Sequence, residues 1–135
     1  MTEPPSGAPA PVTAELRDGE ELDLRALAHE ICRRYRYEFP DEQARYGDAG
    51  MAWCVHDNQH LLNWAVAETN GYGGFERQLK WLAGVLEARD FPLERLARDL
   101  DIAAAVLDEL GTRQPRPSEI LANGARFVRS RASGT

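Results

Sequence analysis

Residues 51–69 read MAWCVHDNQHLLNWAVAET, and this stretch decides the fold. At 100° per residue, Met51, Cys54, Val55, Leu61, Leu62, Ala65 and Val66 fall in one apolar sector of a helix. Trp53, His60, Trp64 and Ala67 form a second sector almost opposite, flanked by His56 and Asp57. A helix that is apolar on two sides belongs in the middle of a bundle, because neither face can be left to water. The run Asn70-Gly71-Tyr72-Gly73-Gly74 stops it, glycine supplying the left-handed conformation that helix ends favour.

The same period extends in both directions. Upstream, Leu24, Leu27, Ala28, Ile31 and Tyr35 recur at spacings of three and four and predict a helix that Pro40 ends. Asp41 to Tyr46 reads as a short helical turn, with Gly47 and Gly50 punctuating the connection. Downstream, Phe75, Leu79, Leu82, Ala83 and Leu86 stripe one helix, with Trp81 and Val85 beside the stripe. Asp90-Phe91-Pro92 makes a turn, and Leu93, Leu96, Ala97, Leu100, Ala104, Leu107 and Leu110 stripe another helix that Gly111 caps. After Pro115 and Pro117, Ser118 opens a last helix through about Arg129, weakened by Gly124 at about 1 kcal/mol relative to alanine. No run of alternating β-branched residues competes with these stripes. The expected fold is all-α, an up-and-down bundle of four to five helices.

Composition divides the chain further. Residues 1–19 include the Pro- and Ala-rich TEPPSGAPAPVTA, which buries too little apolar surface to offset its ordering entropy, and so read as a disordered leader. Residues 20–112 are the bundle, and 113–135 a basic C-terminal segment holding one weak helix. The first 23 residues carry six acids against Arg17, while the last 23 carry five arginines against Glu119. The formal net charge of -6 argues against a general nucleic-acid surface, which needs concentrated positive charge. No apolar run approaches the ~18 residues of a membrane span, and the first residues lack the basic and apolar regions of a signal peptide. Cys32 and Cys54 make no disulfide framework, so the expectation is a cytoplasmic protein with free thiols.

Several residue patterns suggest chemistry. His29-x-x-Cys32 and Cys54-x-His56-x-x-x-His60 contain metal-ligand types, but Cys54 lies about 120° around its helix from His60, and His29 points away from its own apolar stripe. No metal site is therefore expected. Residues 96–110, LARDLDIAAAVLDEL, look like a helix-turn-helix, yet Asp101 stands at the turn glycine and Asp108 and Glu109 would face phosphate. No catalytic constellation assembles on one expected surface, so no enzyme and no catalytic residues are expected. The Trp53, His56, His60 and Trp64 face is the candidate binding site: two indoles could stack on a flat ligand while a histidine supplies a hydrogen bond or an axial bond. The same face could instead pack within the bundle, or against a protein partner or a second copy in a homodimer.

Two stretches, RYGDAGMAWCVHDNQHLLNWA (Arg45 to Ala65) and FERQLKWLAGVLEARDFPLERLARDLDIAA (Phe75 to Ala104), resemble the helical-bundle domain that precedes cobalamin-binding domains in some bacterial regulators. The resemblance covers about residues 24–110 and implies a sensory or effector module that covers one face of a cofactor. The chain has no D-x-H-x-x-G motif, so the resemblance implies that any such cofactor would come with a partner chain. Two functions follow as expectations. The first is a non-enzymatic regulatory or protein-interaction module that requires no cofactor. The second is a small-molecule sensor that binds a planar, tetrapyrrole-like ligand at the Trp/His face.

Overall fold

A computed structural model describes residues 9–134. Within them the chain runs β1 (Thr13–Glu15), β2 (Glu21–Asp23), α1 (Leu24–Glu38), α2 (Asp41–Thr69), α3 (Phe75–Ala88), α4 (Leu93–Val106) and α5 (Arg116–Ala132). A π-helical turn, Leu107–Gly111, extends α4. The fold is all-α apart from the one small hairpin, and the five helices agree with the stripes in the sequence.

The core is one cluster built from the leucine-rich stripes. Leu24, Ile31, Leu62, Leu79, Leu100, Leu121 and Val128 are all fully buried. Each leucine or isoleucine taken out of water in this way contributes roughly 1.5–3 kcal/mol. α4 lies along α5 and against α1, while α2 packs against α1 and α5. α3 is the more peripheral helix and makes less extensive contacts with α2, α4 and α5.

Three expectations change. First, residues 13–19 are not a disordered leader. Thr13 pairs with Asp23 and Glu15 with Glu21 in an antiparallel register, and Leu16 and Leu22 enter the core. Three-residue strands are too short for an alternating pattern to show in the sequence. The hairpin is also pinned from outside: Asn70 Nδ2 donates to the Glu15 carbonyl at 2.9 Å, and Gln59 Nε2 to that of Pro11. Residues 1–8 of the expected leader lie outside the described residues.

Second, α2 begins at Asp41, ten residues before the expected helix. The helical turn and the stretch after it are one element, kinked at Gly47, whose φ of 64° and ψ of -161° suit glycine alone. Arg36 braces the kink, its guanidinium donating to the Gly47 carbonyl and to Gln43 Oε1. Third, the helix of the basic C-terminal segment runs for 17 residues, from Arg116 to Ala132, past both of its expected ends. Gly124 is the reason α5 sits so close to α3, since a Cβ there would press on Leu79 and Phe75. The glycine that weakens the helix as a local element lets it dock. The terminal arginines pair with neighbouring helices, Arg129 with Asp101 at 2.7 Å and Arg131 with Glu87 at 2.6 Å.

α4 runs without a turn through Asp101, so residues 96–110 are one continuous helical rod. Among the described residues no helix is long and apolar enough to cross a membrane.

Candidate functional site

The kink in α2 bends its first turns back towards α1 and α4, so both halves of the helix line one cavity of about 90 Å3. Trp53, Tyr46 and Phe91 supply aromatic wall, and Leu61, Leu82, Leu86 and Leu96 supply aliphatic wall. The polar residues are Tyr35 from α1, Glu42, Cys54, Asp57 and Asn58 from α2, and Asp99 from α4, with Arg89 and Arg95 also on the lining. An apolar cup with a few convergent polar groups is the usual form of a small-molecule site.

Most of these polar groups have partners. Tyr35 Oη donates to Glu42 Oε2 at 3.1 Å, and Arg95 Nη1 closes on the same oxygen at 2.7 Å. Arg95 also reaches Asp41, so Glu42, although only 5% exposed, is a matched buried charge. The Arg89 guanidinium lies 5.2 Å from the centre of the Trp53 ring and covers it on one side.

Asn58 and Asp99 are different. Asn58 is buried on α2, and its Nδ2 donates to the Cys54 carbonyl at 2.9 Å and to Asp99 Oδ1 at 3.0 Å, with the Cys32 and Cys54 sulfurs at 3.5 Å. Its Oδ1 is buried with no hydrogen-bond partner. Such an orphan acceptor costs roughly 1–3 kcal/mol, which a fold tolerates more readily where function uses the group. Asp99 is 6% exposed, and burial pushes its carboxyl up to about 7 from an ordinary value of 3.8. The Asn58 hydrogen bond opposes that rise, while the nearby acids Asp57 and Glu42 add to it. Burial likewise raises Asp57, against a hydrogen bond from His56. The thiol of Cys32 and burial hold the Cys54 thiol well above its usual range. Tyr35 is held up by burial and by the Glu42 and Asp99 carboxyls.

The four residues expected to form a binding face are not gathered around one cavity. Trp53 lines the cavity, at 8% exposure. His56 lines a separate, open depression with Arg25, His29, Asp48 and Gln59. His60 lies between its neighbours, edge-on to His56 with ring centres 4.7 Å apart and tilted against Trp64 at 5.8 Å. These rings lean on one another, and the 90 Å3 cavity that Trp53 lines is far smaller than a tetrapyrrole. The cavity beside Trp53 therefore does not fit that group. Among the described residues no three of His, Cys, Asp and Glu cluster as a metal site.

Asn58, Asp99 and Glu42 were not among the expected site residues. The first two carried a readable signal. Asn58 follows Cys54 by four residues and sits within the apolar sector of Leu61, Leu62 and Ala65. Asp99 interrupts the stripe of Leu96, Leu100, Ala103 and Val106. A polar residue inside an apolar stripe must be satisfied by its neighbours or by a ligand.

Comparison with known proteins gave no match: none among protein-family models, curated proteins or solved structures.

Proposed function

We propose that the chain is a non-enzymatic regulatory module that binds a small molecule in the cavity beside Trp53. The observation that carries this reading is the buried Asn58–Asp99 pair on an otherwise apolar cavity, with an orphan acceptor and a carboxyl raised to about 7. Strongly shifted groups in a cleft are costly to maintain, and function is the common reason for keeping them. The surrounding groups suit holding more than attacking. The Cys54 thiol stays protonated, and the thiolate is the form that acts as a nucleophile. Tyr35 and Arg95 are both engaged with Glu42.

The regulatory half of the reading rests on α3. Leu82 and Leu86 of this helix wall the cavity, and Trp81 beside them is 44% exposed. A ligand that shifts α3 therefore moves an indole on the outer surface, where a protein partner could read the change.

A cavity-filling substitution tests the site. Leu86→Phe adds volume at a buried wall residue, and the cavity beside it gives the added ring atoms space to enter. Wild-type protein titrated with millimolar 1-butanol should show amide NMR shifts concentrated on Trp53, Asn58, Leu82 and Leu96. In the variant those shifts should fall at least about fivefold while the circular dichroism spectrum stays helical. Equal shifts in both proteins would rule the cavity out as the binding site.

A further inference from the structure

The charges around the cavity do not balance. Two arginines line it and both serve other groups: Arg95 meets Glu42, while Arg89 lies over Trp53 and favours the charged form of Asp57, which also has His56 at 3.5 Å. The groups that act on Asp99 are instead the neutral Asn58 amide and two further acids, Asp57 and Glu42. From α1, Tyr35 faces the same acids, and it is neutral. From α5, Arg129 reaches Asp101 on the outer side of α4 and not Asp99. A carboxyl that is nine-tenths buried, without a cation of its own and beside an orphan acceptor, is short of hydrogen-bond donors and of positive charge.

The cavity also sets a size. An apolar cavity of about 150 Å3 takes a benzene ring. The 90 Å3 here is partly open to solvent, so it suits a slim aliphatic chain that can extend outwards more than a ring, and the leucine and aromatic walls suit that chain. A primary ammonium has three N–H donors on one centre, enough for both Asp99 and Asn58 Oδ1, and brings the missing charge.

We propose that the cavity binds a small primary amine in its ammonium form, the charged head against Asp99 and Asn58 and a short alkyl chain against Leu61, Leu82, Leu86 and Leu96. This deepens the reading of the cavity as a ligand site and rests on it.

Three probes of nearly equal size separate the two claims: n-butylammonium, 1-butanol and butyrate, each titrated at about pH 8 and followed by amide NMR shifts of the lining residues. Butylammonium should bind at least about tenfold more tightly than 1-butanol, and butyrate should not bind. In Asp99→Asn the preference should vanish, with 1-butanol binding retained and butylammonium reduced to the same level. If 1-butanol binds as well as butylammonium, or if Asp99→Asn leaves the preference intact, the ammonium assignment fails while the cavity remains a ligand site. If none of the three shifts the lining residues, the ligand-site reading fails as well.

Discussion

Asp99→Asn is expected to stabilise the protein by about 4 kcal/mol near pH 8 and to change it little near pH 4. The carboxyl has an ordinary value of 3.8 and is pushed up to about 7 by burial in the fold. At about 1.4 kcal/mol per pH unit, that gap sets the size of the effect. The sign follows from proton counting. Between these two values the native state holds the proton and the unfolded chain has released it, so this group's contribution falls as pH rises and is lost above about 7. The amide removes the titration yet can still accept from Asn58 Nδ2, which donates to Asp99 Oδ1 at 3.0 Å. Other shifted groups, Asp57 and Cys54 among them, remain in both proteins and largely cancel in the difference. Urea denaturation of the two proteins from about pH 4 to 8 reads the effect directly. Curves that stay parallel over the whole range would mean that Asp99 does not titrate in this window.

The second large effect is expected at Trp53. Truncating it to alanine removes an indole that is 92% buried and walls the cavity against α3, and should destabilise the fold by about 3–5 kcal/mol. Trp64→Ala should cost less, about 1–3 kcal/mol, because its ring is only partly buried and leans on His60 at 5.8 Å. Chemical denaturation orders the two. A larger loss at Trp64 would move the structural weight of α2 to the Trp/His face and away from the cavity.

The helices were legible because their signal is local. Leu62, Ala65 and Val66 on α2, or Leu96, Leu100 and Ala103 on α4, repeat every three or four residues whatever surrounds them. What escaped the sequence depends on partners far along the chain. The β1–β2 hairpin exists because Leu16 and Leu22 reach a core made by later helices, and because Asn70, 55 residues away, holds the Glu15 carbonyl. The full length of α5 depends on Gly124 meeting Phe75 and Leu79 of α3. A propensity scale counts only that glycine's local cost.

The site was partly legible. Trp53 was found through its aromatic payload, but its spacing from His60 and Trp64 suggested a single face where the structure has two. The kink at Gly47 accounts for much of the difference. It brings Glu42 and Tyr46 to the cavity that Trp53 lines, a placement no straight-helix projection from residue 51 contains. Asn58 and Asp99 stood in the apolar stripes throughout, but their meeting across two helices, 41 residues apart, is a tertiary fact.

The uncompensated carboxyl at the cavity is the centre of this account, and the most direct measurement is of its own titration. Carboxyl carbon NMR of the isotopically labelled protein, with Asp99→Asn assigning the resonance, should place the Asp99 midpoint at about 7. Saturating butylammonium should move that midpoint down, because a cation beside the carboxyl favours its charged form. The groups that bear on it, Tyr35 from α1 and Glu42, Asp57 and Asn58 from α2, are the same with and without the probe. A midpoint at the ordinary carboxylate value, unmoved by the amine, would contradict the account, since Asp99 would then be solvated or already paired and the cavity would have no charge left to match.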